Sequence, residues 1–177
     1  MNKTIKMQLL SALFAAILCG LSLITIPSPT GIPITFQTFA VTMCGFCLGW
    51  KYGTVSIIIY LFAGFLGLPV FSGITAGIGV LFGITGGFLL GFIPLVVLCG
   101  ISDKNPHRII YAMSGLIICH LSGIIWFTVI MKSSIQTAFI TASLPYLVKD
   151  IISVLAAAVL SDILKKRINL TSNQVGV

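Results

Sequence analysis

Charge is what this sequence has least of. Of its 177 residues only 7% are charged and three are acidic, whereas 58% are hydrophobic and the mean hydropathy is +1.16. Soluble domains carry roughly a quarter charged residues, so a water-exposed globular surface cannot be assembled from this composition. Other absences narrow the field further. There is no Walker A motif, no Ser-His-Asp set and no paired catalytic carboxylates, which argues against an ATPase and most hydrolases. The cysteines at 19, 44, 47, 99 and 119 all lie in apolar runs. Cys44-Gly45-Phe46-Cys47 lacks the second pair that would complete a zinc site, so the five read as small packing residues and no metal is expected. No internal repeat points to an inverted-repeat transporter. No Ala-x-Ala site follows the first apolar run, so Met7–Ile26 reads as a retained helix rather than a signal peptide.

What is present is a series of apolar runs separated by short polar breaks. A helix needs about 20 residues to cross a bilayer, which leaves room for membrane spans and short loops but not for a soluble catalytic domain. The expectation is an all-α integral membrane protein, 1–177, in a single membrane domain. Its spans are placed at about 7–26, 36–50, 54–68, 84–101, 109–131 and 145–164, with a flexible tail at 169–177.

The basic residues assign the sides. Lys3 and Lys6, Lys51, Lys104 and Arg108, and Lys165, Lys166 and Arg167 fall at alternate breaks. The opposite breaks hold only Lys132. By the positive-inside rule the first set faces the cytoplasm, and six transmembrane helices then put both termini on that side. This placement accounts for the net charge of +7 without a nucleic-acid partner.

The second and third spans are short, and the segments completing them on the outer side are unusual. Pro27–Gln37 and Pro69–Gly87 are rich in Pro, Gly and Thr, uncharged and fairly apolar. Non-helical backbone at membrane depth is tolerated where it is buried in protein or lines a cavity. The two segments therefore read either as the cover of an outward-side pocket or as ordinary extracellular loops.

An ionisable residue inside a span is expensive and is a functional candidate. Asp150, placed about one turn into the last span from its outer end, is the foremost. Its neighbour Lys149 stands 100° away around the helix, so the two are expected to point apart, with Lys149 free to snorkel to the interface. His120 falls near the middle of the fifth span. A proton relay needs partners at matching depth and the sequence offers none, so it reads as a packing histidine bonded to a Ser or a carbonyl. In the first span Ala12 and Ala16 have the small-xxx-small spacing that lets another helix approach closely.

Four stretches carry a family resemblance. Ile32-Pro33-Ile34-Thr35-Phe36-Gln37-Thr38-Phe39-Ala40-Val41 resembles the P-I-T-x-Q-T-F-A-V segment of biotin-specific S components of energy-coupling-factor (ECF) transporters, the BioY family. Gly64 to Gly73 is similar to that family's G-x-x-G-L-P-V-F-x-G, and Leu81 to Phe92 to its G-P-T-G-G-Y/F-L-x-G-F. Leu144-Pro145 through Asp150, with Val154 to Ala157, resembles its P-F-x-P-G-D-x-x-K-x-x-x-A. The motifs occur in order from about residue 32 to 160. The resemblance implies an S-component-like bundle in a prokaryotic plasma membrane that captures biotin from outside. It also implies delivery through a transmembrane coupling subunit and two cytoplasmic ATPases, with ATP used by those partners, no cofactor of its own and no enzymatic activity. Ala12 and Ala16 would meet the coupling subunit. Asp150 would accept the ureido N–H groups, Phe71, Phe88 and Tyr146 would wall the cleft beside Gly73 of the second motif, and Gln37, Thr38, Thr85 or the Gly86-Gly87 backbone would receive the far carboxylate. Three departures stand out. Ile84 replaces the motif Pro, Ser153 replaces the Lys three residues after the Asp, and Lys149 replaces the Gly before it. Because 149 and 153 share a helix face, Lys149 is expected to take over from the missing lysine. The competing readings are an S component for another vitamin and a membrane enzyme or assembly factor.

Overall fold

Gly49 decides the architecture. In the computed structural model, which describes residues 2–29, 31–103 and 106–168, helix α2 (Gln37–Phe65) is broken at Gly49, whose φ of 75° and ψ of 175° lie outside helical space. A side chain would be strained there, whereas glycine adopts it readily. The chain reverses at this point. Gln37 Nε2 donates to Tyr60 Oη at 2.6 Å, although a straight helix would separate those residues by about 34 Å. Thus α2 is an antiparallel pair of arms, 37–48 and 50–65, rather than one long rod.

The remaining helices pack around this hairpin. α1 (Lys3–Leu23) and α7 (Leu144–Ile168) lie against α2, α4 (Gly86–Ile101) packs on α2, and α5 (His107–Met131) packs on α4. Short helices α3 (Ile78–Leu81) and α6 (Ile135–Ala138) and a π-helical turn, Phe139–Ser143, complete the order. The core is built where α2 meets α4, with Val41, Leu48, Ile57, Leu95 and Val96 fully buried. Close approach is possible because Gly100 presents no side chain: a Cβ there would sit 2.1 Å from Trp50 N, at the hairpin turn. The outer surface is apolar, with Leu9, Leu13, Ile58, Ile117, Ile125 and Ile152 among its exposed side chains. Among the described residues, three helices, Lys3–Leu23, Gln37–Phe65 and His107–Met131, are long and apolar enough to cross a membrane, and Gly86–Ile101 is a shorter apolar helix.

Helical segments occupy all six apolar runs, with differences at their ends. α1 stops at Leu23 rather than 26, because Thr25–Ile26 (β1) pairs antiparallel with Ile34–Thr35 (β2). The first outer segment is therefore a small hairpin. The second, from 66 to 85, contains a Phe71–Thr75 bridge and α3. The helical backbone before α7 begins at Ile135 and continues through the π turn, well ahead of the expected 145. Arg108, counted among the loop charges, is instead buried at 2% exposure. Its guanidinium donates to Asp162 Oδ1 at 2.5 Å, to the Ala158 carbonyl at 3.0 Å and to Ser161 Oγ, and lies 4.2 Å over the Phe46 ring. The expected tail 169–177 and Lys104 lie outside the described residues.

Candidate functional site

The reversal at Gly49 leaves α2 too short to fill the bundle. Its first arm rises only about 18 Å, and a cleft lies beyond its start. The cleft encloses about 580 Å³ when the open solvent at its mouth is counted. Phe88, Leu89 and Phe92 from α4 and Leu116 from α5 make its apolar wall, while Gln37, Thr38, Thr85, Tyr146, Lys149 and Asp150 supply polar atoms. The β1–β2 hairpin borders it through Ile32, Pro33 and Thr35.

Asp150 is the anionic centre. Its side chain is 7% exposed, and both carboxylate oxygens are engaged. His120 Nε2 lies 3.3 Å from Oδ2, and Lys149 Nζ contacts Oδ1. The Lys149 contact is an ion pair without aligned hydrogen-bond geometry, as adjacent residues on one helix require. Thr38 from α2 lines the same cleft. His120 is fixed on its other side, with Nδ1 2.8 Å from Ser143 Oγ, and its ring stands edge-on to Phe88 at 5.9 Å. The π turn, a device frequent at functional sites, brings Ala142 and Ser143 inward.

α7 also straps the hairpin. Tyr146 Oη donates to the Ile32 carbonyl at 2.5 Å, and Lys149 Nζ donates to the Thr35 carbonyl at 3.0 Å. Residues 146 and 149 are one turn apart on the same face, so a single helix face grips the covering segment at Ile32 and Thr35, on its β2 side. Gln37 is held from two directions, accepting from Thr35 Oγ1 at 3.1 Å and donating to Tyr60 Oη.

Seven of the expected residues meet at this cleft: Gln37, Thr38, Thr85, Phe88, Tyr146, Lys149 and Asp150. Five do not. Phe71 is fully buried, packed edge-on against Tyr60 at 5.4 Å and filling the space beside Gly64. Gly73 is a turn residue with φ 73°. Gly86 and Gly87 begin α4 with no room for side chains, since a Cβ on Gly87 would come within 2.3 Å of Trp126. The Gly86 N–H is already bonded to the Gly83 carbonyl at 3.1 Å, so it is not a free donor. Ser153 is buried one turn deeper on α7, outside the cleft.

Two sequence expectations are corrected here. Lys149 and Asp150 do not point apart: the long lysine stem curls back to reach the carboxylate. His120 does bond a serine as expected, yet it also has an acidic partner at matching depth. The reason is the helical run from Ile135. It places Asp150 about four turns below that start, not one turn below Leu144, and so level with the middle of α5. Ala12 and Ala16 lie on the outward face of α1, whereas Ser11 and Ala15 are buried. Gly20, one further turn along, continues the outward small-residue row with open space beside it.

Residues 1–170 match the BioY family as a whole. The chain is 34% identical over 131 residues to a probable biotin transporter BioY of Pyrococcus horikoshii, covering 74% of this chain and 79% of that one. It is 32% identical over 164 residues to the biotin transporter BioY of Thermotoga maritima, covering 90% and 96%. A solved structure, the S-component for biotin from an ECF-type ABC transporter, superimposes with a TM-score of 0.84 at 27% identity, covering 94% of this chain and 95% of the other. With a whole-length family match, several such relatives and the same fold, this chain belongs to the BioY family.

Proposed function

We propose that this chain is the substrate-binding S component of an ECF-type importer and that biotin is its ligand, bound in the cleft between α2, α4, α5 and α7. The observation that carries this reading is Asp150: a buried carboxylate in a cleft with one apolar wall, in a chain whose relatives are named biotin transporters. The ureido group of biotin offers two N–H donors for the Asp150 carboxylate. The fused rings then lie against Phe88, Leu89 and Phe92. The valerate chain runs toward the mouth, where Lys149, partly exposed, meets the carboxylate. Such a division of apolar wall and few placed polar groups is usual for small ligands.

In this reading the helices cross the membrane six times, α2 twice, with both termini and the Lys3/Lys6, Lys51 and Lys165/Lys166 groups in the cytoplasm of a prokaryotic cell. The cleft then opens outward. Transport requires a coupling subunit and two ATPases, because the sequence holds no nucleotide-binding motif. The outward row of Ala12, Ala16 and Gly20 is where a helix of the coupling subunit would approach closely.

Labelled biotin binding to the detergent-purified chain, beside Asp150→Ala, tests the assignment. Saturable binding by wild type that is lost in the variant is the expected result; a folded wild type that does not bind sinks it. The exchange of Lys149 and Ser153 favours a second reading, a different vitamin, which a competition panel of vitamins against labelled biotin distinguishes.

A further inference from the structure

One side chain of the cleft is held by a residue that lies outside both the cleft and the sequence motifs. We propose that Tyr60 is a positioning residue of the binding site, whose hydroxyl fixes the Gln37 amide so that it offers an N–H to an acceptor oxygen of the ligand. This rests on the reading of the cleft as the ligand site.

Tyr60 stands on the second arm of α2, fully buried in the apolar core, and does not line the cleft. Its ring packs edge-on against Phe71 at 5.4 Å, a contact that a phenylalanine would make equally well. The hydroxyl is the part that needs a reason, because a buried phenol must find a polar partner. It finds one across the hairpin, accepting from Gln37 Nε2 at 2.6 Å. Gln37 begins the first arm and is itself buried, with its side chain at the edge of the cleft.

The other end of the amide is tied to Thr35. The Gln37 backbone N–H donates to Thr35 Oγ1 at 3.3 Å, and that hydroxyl gives its own proton to Gln37 Oε1 at 3.1 Å. The amide oxygen thus faces Thr35 and the nitrogen faces Tyr60. With both ends tethered the amide plane is fixed; with one tether it turns about its terminal torsion, which is broad and roughly two-fold. A primary amide nitrogen carries two N–H groups. One goes to Tyr60, and among the described residues nothing accepts the other. It is left for an acceptor in the cleft. Asp150 accepts from the N–H groups of the ligand, and Gln37 supplies a neutral donor for a ligand oxygen. A donor already held in place loses no rotameric freedom when the ligand arrives, which is the benefit of preorganisation. Tyr60 provides it from the core, without touching the ligand.

The experiment is a double-mutant cycle on the full-length purified protein with labelled biotin: wild type, Tyr60→Phe, Gln37→Met and the two combined. Phenylalanine keeps the ring against Phe71, and methionine keeps the length of Gln37 without its amide. Kd is read from saturation curves of the folded fraction, so a change in stability does not enter it. Tyr60→Phe should weaken biotin binding about fivefold to tenfold, the scale of one neutral hydrogen bond or one ordered side chain. The double variant should bind within about twofold of Gln37→Met alone. Thr35→Val, which frees the opposite end of the amide, approaches the same question without altering the core, and its loss should likewise shrink in the Gln37→Met background. A Tyr60→Phe protein that binds as wild type overturns the proposal. So does a loss of equal size in both backgrounds, from either variant, which is the result of a general disturbance rather than of action through Gln37. A folded wild type that does not bind biotin overturns this proposal and the functional assignment together, whereas wild-type binding with an additive cycle overturns this proposal alone.

Discussion

α7 carries two charge clusters, one with its aspartate half exposed and one with its aspartate buried, and they have opposite characters. At one end Asp162 meets Arg108, whose guanidinium also bonds Ser161 and the Ala158 carbonyl and lies on Phe46. At the other Asp150 meets Lys149 and His120 beside an open cleft. In the first, the buried guanidinium fills its own space and reaches an aspartate that is about half exposed, so the pair sits at the edge of the bundle. In the second, the aspartate itself is buried and stands beside an open cleft. A charge pair alone is thus no sign of a binding site; a buried carboxylate beside unfilled space is.

The contrast can be broken at either end. The largest effect is expected from Asp150→Ala, which removes the anion that the cleft is built around. Biotin affinity should fall by more than about 100-fold, the scale of losing a hydrogen bond to a charged group with its supporting contacts. Equilibrium binding would check this, with the unfolding temperature reduced little or not at all. Arg108→Ala should do the converse. It opens a void over Phe46 and leaves the Ser161 hydroxyl and the Ala158 carbonyl without their donor, a loss of about 1–3 kcal/mol. Thermal unfolding in detergent should reveal it, while binding by the fraction still folded stays within about threefold of wild type. Lys149→Met sharpens the comparison from inside the site: it removes the cation but keeps an apolar stem. Biotin should weaken about tenfold, the value of one exposed-side ionic contact plus one strap to Thr35, and its uncharged primary amide much less. Smallest of all, Ser153→Ala should change affinity less than about twofold. Ser153 does not line the cleft, whereas Lys149, one turn away on the same face, does.

How much of this was legible beforehand varied with the range of the interaction. The six apolar runs and their order could be read directly, because hydropathy and Pro/Gly punctuation are local signals. The tight turn at Trp50-Lys51-Tyr52-Gly53 was placed within a residue or two, with the reversal itself falling on Gly49. Asp150, Gln37, Thr38 and Tyr146 could be found from motif spacing. What escaped was anything depending on depth. His120 and Asp150 are brought level by helical turns at 135–143, which look like a loop because Lys132, Ser133 and Ser134 precede them. Arg108 looks like a loop charge since it stands two residues from Pro106; only the Phe46 ring of α2 and the Ala158–Asp162 stretch of α7 bury it. Phe71 carried a motif signature yet serves the core, because an aromatic beside glycines reads the same whether it faces a ligand or Tyr60.

The first arm of α2 rises about 18 Å where a hydrocarbon layer is about 30 Å thick. That arm is buried along almost its whole length, so the outward surface beyond its short end is made by the covering segments, which present apolar side chains. Ile24, Ile26, Phe36, Ile74, Ile78 and Phe82 are all more than half exposed. These loops are therefore dressed for acyl chains rather than for water. The viscosity and thickness of the surrounding bilayer bear directly on the cover of the cleft, so the rate at which a ligand enters or leaves belongs to the protein and its lipid jointly.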